Sequence, residues 1–249
     1  MYGRAGRIGI AVLDSDLTIE PDLRRLLPEG VEIHAARVRY PRRVTPENMA
    51  MAAERAMAAL EDLLPVRPAA LAWACTSGSF YAGREGNARL VQQLEGVAGG
   101  IPVTTASSAV VAALQALGVR RPAVGAPYSE AMNARLKSFL EESGFEPVAV
   151  QGYFPDEVDD YSLQDVEEED VARFIMQLDR PECDGIILSC TGLPTARIVP
   201  EVERRVGKPI VTSNLAILWH CWRLGGLGSR PTANCRLIDT LEQGVGGRA

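Results

Sequence analysis

The sequence is poor in the residues that hold metal ions or serve as general bases. It contains two histidines, His34 and His220, and its five cysteines include no Cys-x-x-Cys pair. Without a cluster of His and Cys residues, the chain has no recognisable zinc site. We expect His34 in a strand and His220 in a helix, as packing or surface residues. A protease arrangement of Cys and His therefore lacks a convincing base.

Nucleotide-binding motifs and long apolar stretches are missing as well. There is no P-loop, and no Gly-x-Gly-x-x-Gly follows the first predicted strand. The longest apolar runs are shorter than the ~20 residues that span a bilayer, and the amino terminus shows no signal peptide. The net charge of −6, with dispersed basic residues, argues against nucleic acid and membranes as partners. An odd number of widely spaced cysteines is typical of reduced thiols, so we expect a cytoplasmic protein.

What the sequence does contain is a local pattern that occurs twice. Residues 70–81 read Ala-Leu-Ala-Trp-Ala-Cys-Thr-Ser-Gly-Ser-Phe-Tyr, an apolar run that ends at Cys75 and a loop of hydroxyls. Residues 185–194 read Gly-Ile-Ile-Leu-Ser-Cys-Thr-Gly-Leu-Pro around Cys190. Each predicts a buried parallel strand that delivers a cysteine to its carboxyl end, where open α/β sheets bind ligands.

Further signals repeat at similar offsets and predict an internal duplication. Apolar strands open at Arg7 and at Arg121, and proline-led strands begin near Pro102 and Pro209. Strands alternate with helices throughout, which favours an α/β fold with mostly parallel sheets. We therefore expect two pseudo-symmetric halves, each a short sheet flanked by helices, with the active site in the cleft between them.

The predicted halves cover residues 1–118 and 119–228, and the helix that closes the first half can pack on the second. Residues 229–249 form a tail that the sequence does not place. Residues 156–170 contain nine carboxylates and no Lys or Arg. We interpret this acidic segment as a solvated loop that leads into a helix, where acidic residues are favoured near the N-terminus. The alternative is a mobile lid over the cleft.

Two facing thiols would suit proton transfer at a carbon acid. One thiolate removes a proton, and the opposite thiol returns one; a thiolate can also add to an activated double bond. Donors from the two cysteine loops would stabilise the charge that develops on the substrate; they are Thr76, Ser77, Thr191 and Gly192. These steps need no metal or organic cofactor. We interpret the remaining cysteines as buried small hydrophobic residues; they are Cys183, Cys221 and Cys235.

The two cysteine motifs resemble the aspartate/glutamate racemase superfamily. The residues 76–81, 200–205 and 209–213, with the Ala-x-x-Trp that follows, look like its branch of maleate cis-trans isomerases and arylmalonate decarboxylases. The resemblance covers residues 7–228 and implies two pseudo-symmetric α/β halves with the site between them. It implies that Cys75 and Cys190 are catalytic. It also implies that a substrate carboxylate is held by Thr76, Ser77, Tyr128, Thr191 and Gly192.

The chain differs from the decarboxylases at the first cysteine position, and from the maleate isomerases at two asparagine positions. Decarboxylases of this branch carry glycine at the first cysteine, so Cys75 argues against decarboxylation. Maleate isomerases bind substrate with Asn where this chain has Asp16, and they use a second Asn in the region of Asp159 and Asp160. An ionised Asp16 would repel a carboxylate 4 Å away by about 4 kcal/mol at an effective dielectric constant of 20. A substrate with an amine, amide or ureido group near Asp16 is the natural inference.

The sequence thus predicts a cofactor-independent isomerase that acts on a small carboxylic acid with a thiol/thiolate pair. Maleate cis-trans isomerisation is the best-matched named reaction. Amino-acid or hydantoin-type racemisation is an alternative, as is arylmalonate-type decarboxylation with Cys190 alone. A non-enzymatic sensor of small acids is a further alternative. The sequence is also compatible with a homo-oligomer.

Overall fold

The computed structural model describes residues 2–41, 46–154 and 160–241 of the chain. Two predicted features lie partly outside these described residues. They are residues 156–159 of the acidic segment, which include Asp159, and residues 242–249 of the tail.

The first half contains a parallel sheet with the strand order β2-β1-β3-β4. Its strands are β1 (Gly6–Leu13), β2 (Val31–Val38), β3 (Ala70–Ala74) and β4 (Val103–Thr105). Its helices are α1 (Ile19–Arg24), α2 (Pro46–Leu63), α3 (Thr76–Phe80), α4 (Gly83–Val97) and α5 (Ala106–Ala116), with a 3₁₀ turn at Leu64–Val66. Every residue of β3 is buried, as expected for an apolar strand in the middle of a sheet that helices cover on both faces.

The second half repeats this arrangement, with the strand order β6-β5-β7-β8. Its strands are β5 (Pro122–Ala126), β6 (Ala149–Gly152), β7 (Gly185–Leu188) and β8 (Ile210–Thr212). Its helices are α6 (Glu130–Glu142), α7 (Glu168–Leu178), α8 (Val199–Val206), α9 (Ser213–Leu224) and α10 (Arg236–Asp239), with a 3₁₀ turn at Asp160–Asp165. All strand pairs are parallel, and the two sheets share one topology. The predicted α/β fold with two pseudo-symmetric halves is confirmed.

Helices α5 and α9 join the two halves. Each follows the last strand of its sheet and begins at a threonine whose side chain accepts a backbone N–H. The bonds are Ser108 N–H to Thr105 at 3.1 Å and Leu215 N–H to Thr212 at 3.2 Å. The two helices pack against each other, and α9 also packs on β3 and β4 of the opposite sheet. This packing brings the carboxyl ends of β3 and β7 toward one cleft.

The structure differs from the sequence prediction in two elements. Residues 76–79, predicted as a loop, belong to α3, because the Cys75 sulfur caps the helix by accepting the N–H of Gly78. The unplaced tail is also partly built into the core. Leu237 and Ile238 of α10 are completely buried, and they pack with the second sheet. Among the described residues, no helix has the length and apolar character needed to cross a membrane.

Candidate active site

Both repeated cysteines line a single cleft between the two halves. Cys75 directly follows β3 and is 2% exposed, whereas Cys190 follows β7 after one intervening residue and is half-buried. The structure brings all eight predicted site residues to this cleft. They are Asp16, Cys75, Thr76, Ser77, Tyr128, Cys190, Thr191 and Gly192.

Each cysteine sulfur receives a hydrogen bond from a glycine N–H. The N–H of Gly78 lies 3.3 Å from the Cys75 sulfur, and the N–H of Gly192 lies 3.4 Å from the Cys190 sulfur. Donors of this kind stabilise a thiolate relative to a thiol. A Cβ atom at Gly78 would lie 2.9 Å from the Cys75 sulfur, so a glycine permits this close approach of the backbone. Each half therefore places one glycine N–H donor at the sulfur of its cysteine.

Ser213, the first residue of α9, links the two cysteine loops. The Thr76 hydroxyl donates to the Ser213 hydroxyl oxygen at 3.0 Å, and the N–H of Cys190 donates to the same oxygen at 3.1 Å. This serine is not among the site residues predicted from the sequence. Its position directly after β8, at the same sheet edge as the cysteines, is the signal that could have found it.

Tyr128 follows β5 and lies near both cysteines. Its hydroxyl lies near the side chains of Ser189 and Thr76. Burial and the neighbouring charge of Cys190 raise the pKa of Tyr128 well above its ordinary value of 10.0. The phenol is therefore neutral at physiological pH, and it can donate a hydrogen bond to an oxyanion.

Asp16 is held by backbone donors at the start of α1. One carboxylate oxygen accepts the N–H groups of Thr18 at 2.9 Å and Ile19 at 3.0 Å, at the start of α1. Burial raises the pKa of Asp16 above 3.8, and hydrogen bonds from Ile19, Thr191 and Thr18 oppose the increase. Asp16 thus lines the cleft while its carboxyl group holds the loop before α1.

Polar and apolar side chains both line the cleft. The apolar ones are Leu13, Leu17, Pro127, Met132 and Leu163. None of the described residues that line the cleft is Lys, Arg or His. A bound carboxylate would therefore meet neutral O–H and N–H donors and not an ion-pair partner.

The described end of the acidic segment covers part of this cleft. Leu163 and Gln164 lie in the 3₁₀ turn at Asp160–Asp165, and the Gln164 amide donates to the carbonyl of Ser15 at 3.5 Å. Neither residue is predicted from the sequence, because a single Leu and Gln within a run of carboxylates give no local signal. Glu168, Glu169 and Asp170 occupy the first turn of α7, as the interpretation of a loop that leads into a helix predicts, while Leu163 and Gln164 line the cleft.

The remaining titratable candidates lie elsewhere. His34 is in β2 and His220 is in α9, as predicted, and neither lines the cleft. Burial raises the pKa of Cys221 to about 12 and that of Cys235 to about 11. Such thiols are unreactive near neutral pH. Cys183 is also buried. Within the described part of the chain, no group of three or more His, Cys, Asp or Glu side chains could hold a metal ion.

Comparison with known proteins identifies the family. The sequence model of the arylmalonate decarboxylase family matches residues 8–238. An arylmalonate decarboxylase from Bordetella bronchiseptica is 36% identical over 192 residues, which cover 75% of this chain and 78% of that protein. A maleate isomerase from Pseudomonas putida is 28% identical over 223 residues, which cover 84% of this chain and 88% of that protein.

A solved structure shows the same fold. It is a liganded arylmalonate decarboxylase in which one glycine is mutated to cysteine and one cysteine to serine. It superposes with a TM-score of 0.85 at 33% identity, covering 94% of this chain and 99% of that chain. The chain therefore belongs to the arylmalonate decarboxylase family, in the branch of the aspartate/glutamate racemase superfamily that its cysteine motifs predict.

Proposed function

We propose that this chain is a cofactor-independent isomerase or racemase that acts on a small carboxylic acid. In this proposal Cys75 and Cys190 form a thiol/thiolate pair. One observation carries it: two sulfur atoms, each with its own N–H donor, line one cleft together with neutral hydroxyl donors.

The proposed chemistry is a transfer of protons between two faces of one carbon. A cysteine thiolate removes the proton next to the carboxylate, and the electron pair of the C–H bond moves into the carboxylate to give an ene-diolate. The thiol on the opposite side then donates its proton to the same carbon, which restores the acid with inverted configuration. The Tyr128 hydroxyl would donate to the additional negative charge of the ene-diolate, and the Thr76 and Thr191 hydroxyls would do so by turning away from their acceptors on Ser213 and Ala74.

The residues that line the cleft limit which substrates fit it. Neutral donors suit one carboxylate, and the apolar lining residues suit a substituent without charge. We infer that an acid with one bound carboxylate and an apolar or nitrogen-containing group suits the cleft better than the maleate dianion. Maleate isomerisation also uses two thiols, so it is the reaction to compare with racemisation of such an acid. In that reaction a thiolate adds to the double bond, the single bond rotates, and the thiolate leaves.

Decarboxylation is the second candidate, and the family match and the 36% identical relative favour it. A carbon–carbon bond of a malonate would break with release of carbon dioxide, and the Cys190 thiol would protonate the resulting ene-diolate. The cysteine at position 75 favours the two-thiol reactions, because the resemblance implies glycine at this position in decarboxylases.

Proton NMR in deuterium oxide distinguishes these reactions. The purified protein, without added cofactor, is incubated with maleate, aspartate, glutamate, a hydantoin and an arylmalonate. Deuterium at the α-carbon of an amino acid or hydantoin would support racemisation, and fumarate formed from maleate would support isomerisation. Loss of carbon dioxide from the arylmalonate, retained in Cys75→Gly, would favour the decarboxylase. The variant Cys183→Ser controls for the loss of a buried thiol outside the cleft.

A further inference from the structure

Asp22 is a buried carboxylate that α1 places against the loop after Cys190. It is 1% exposed. Its Oδ2 atom accepts the N–H of Thr195 at 2.9 Å, the Thr195 hydroxyl at 3.0 Å and the N–H of Ala196 at 3.1 Å. Asp22 does not line the cleft. A carboxylate from one half therefore anchors the active-site loop of the other half.

Asn214 extends this anchor toward Cys190. Its amide nitrogen lies 2.9 Å from Asp22 Oδ2, 3.2 Å from the carbonyl of Thr191 and 3.4 Å from the carbonyl of Leu193. These carbonyls flank Gly192, whose N–H donates to the Cys190 sulfur. Asp22 and the sulfur of Cys190 are thus connected by a continuous series of hydrogen bonds and one short stretch of backbone.

The pseudo-symmetry of the fold points to the same role. In the first half, the second residue of α5 is Ser107, and its hydroxyl donates to the carbonyl of Thr76 at 3.3 Å. In the second half, the second residue of α9 is Asn214, and it donates to the carbonyl of Thr191. Each residue thus holds the carbonyl directly after a cysteine. In the second half, a carboxylate from the opposite half adds to this arrangement.

The physical reason for this addition lies in the backbone that follows Cys190. Residues 191–196 form neither helix nor strand, so their buried N–H and C=O groups need partners outside the backbone ladder. A buried carboxylate is costly unless donors surround it. Burial raises the pKa of Asp22 above 3.8, and hydrogen bonds from Asn214, Thr195 and Ala196 oppose the increase. The converging donors offset this cost and fix the loop.

We propose that Asp22 is a positioning residue for Cys190. It holds residues 191–196, directly and through Asn214, in the conformation that aims the Gly192 N–H at the sulfur. The effect on catalysis rests on the proposed function of Cys190. The effect on the hydrogen bond between the Gly192 N–H and the Cys190 sulfur does not depend on that function.

The variant Asp22→Asn tests this role with little change in size. Asparagine keeps one carbonyl oxygen for the donors that converge on Oδ2, but its N–H₂ group then faces the N–H of Ala196, which lies 3.2 Å from Oδ1 in the wild type. The anchor loses its charge and one acceptor, so residues 191–196 are held less firmly and the Gly192 N–H is less well aligned with the sulfur. The Cys75 loop, which Gly78 caps separately, keeps its own donor.

The experiment measures alkylation of individual cysteines by iodoacetamide, followed by peptide mass spectrometry over a range of neutral and alkaline pH. Near neutral pH, Asp22→Asn should slow alkylation of Cys190 roughly threefold to tenfold. This is the change expected if the Cys190 alkylation curve moves to higher pH by about half a pH unit to one pH unit. The Cys75 curve should not move. The other titratable groups around Cys190 are unchanged in the variant; they are Cys75, Tyr128 and Asp16. Loss of the Asp22 charge would by itself favour the Cys190 thiolate, so slower alkylation would report the loss of alignment and not the loss of charge.

Glu203→Gln is the matched control. Glu203 is also buried, accepts the N–H groups of Ile210 at 3.1 Å and Arg236 at 2.8 Å, and lies outside the cleft. Both variants should lower the unfolding midpoint, but only Asp22→Asn should move the Cys190 curve. If Asp22→Asn does not fold, Thr195→Val removes one donor to Asp22 and should give a smaller change in the same direction.

Two results would overturn the proposal. One is an identical Cys190 curve in the wild type and in the folded Asp22 or Thr195 variant. The other is the same Cys190 change in Glu203→Gln, which would indicate general loosening of the fold. Because alkylation needs no substrate, either result is independent of whether the acid panel reveals turnover. Once the acid panel reveals a substrate, Asp22→Asn should lower kcat for that substrate by a larger factor than it raises KM.

Discussion

Small residues beside the two sulfur atoms determine what can approach them. Gly78 and Gly192 both donate N–H groups to a cysteine sulfur. At Gly192, a Cβ atom would lie 2.9 Å from a methyl carbon of Leu163 and 3.6 Å from the Cys190 sulfur. The absence of a side chain therefore leaves room for both the cover of the cleft and the thiol.

Gly192→Ala should impair turnover without unfolding the protein. The new methyl group would displace Leu163, which lines the cleft, and displacements of about 1 Å can cost about 10²-fold in rate. The free energy of unfolding should change by less than about 1 kcal/mol, because Leu163 is only half-buried. The double variant Gly192→Ala/Leu163→Ala should recover part of the activity. Gly96→Ala, with open space around its Cβ, is the control; wild-type kcat/KM in Gly192→Ala would contradict this account.

Asp16→Asn separates the charge of this side chain from its hydrogen bonds. Asparagine keeps a carbonyl oxygen for the N–H groups of Thr18 and Ile19, so stability should change by less than about 1 kcal/mol. Removal of the charge should strengthen binding of a dicarboxylate such as maleate, measured by calorimetric titration. Unchanged maleate affinity in a folded Asp16→Asn protein would show that the charge does not exclude dicarboxylates.

At the scale of elements, helix α9 connects the two halves and carries a half-buried histidine. The His220 ring nitrogen Nδ1 lies 2.8 Å from the Thr104 hydroxyl on β4. Burial, and secondarily the charge of Arg223, lower the pKa of His220 from 6.5 to about 4. The folded protein therefore binds a proton at this site less readily than the unfolded chain does.

This difference predicts a loss of stability in acid. Because the folded pKa is lowered, the stability is complete above pH 6.5, falls as the pH decreases, and reaches its full loss below pH 4. The loss from this residue is at most about 3 kcal/mol. Urea unfolding above pH 6.5 and near pH 4 should show a smaller loss in His220→Gln than in the wild type, whereas His34→Gln should keep the full loss. Equal losses in all three proteins would refute the assignment, since the buried carboxyls are common to them.

At the scale of the whole molecule, the repeated cysteine motif predicted most of the architecture. Apolar runs that end at Cys75 and Cys190 predicted two parallel strands, and the similar offsets of other strands predicted two equivalent halves. The carboxyl-edge rule for α/β sheets then predicted a shared cleft. The eight predicted residues do meet there, although their roles remain predictions.

The contacts between the halves could not be predicted in this way. Asp22 meets Thr195, and Thr76 meets Ser213, across separations of 173 and 137 residues. Such pairs depend on how the two halves pack through α9. The residues of each pair are far apart in the sequence, and no local periodic pattern relates them. Asp16 was interpreted from its position in a motif, whereas its two N–H partners depend on the geometry of the loop before α1.

The central claim is that both cysteines act in one reaction. The most direct measurement compares turnover of the wild type, Cys75→Ala and Cys190→Ala on the first acid of the NMR panel that the wild type converts, with Cys183→Ala as the control. Each active-site variant should lose about 10²- to 10⁴-fold in kcat, the contribution of a positioned acid or base, while its fold is retained. The control should keep wild-type turnover. Full activity in Cys75→Ala would contradict the two-thiol account and leave Cys190 as the single proton donor of a decarboxylase.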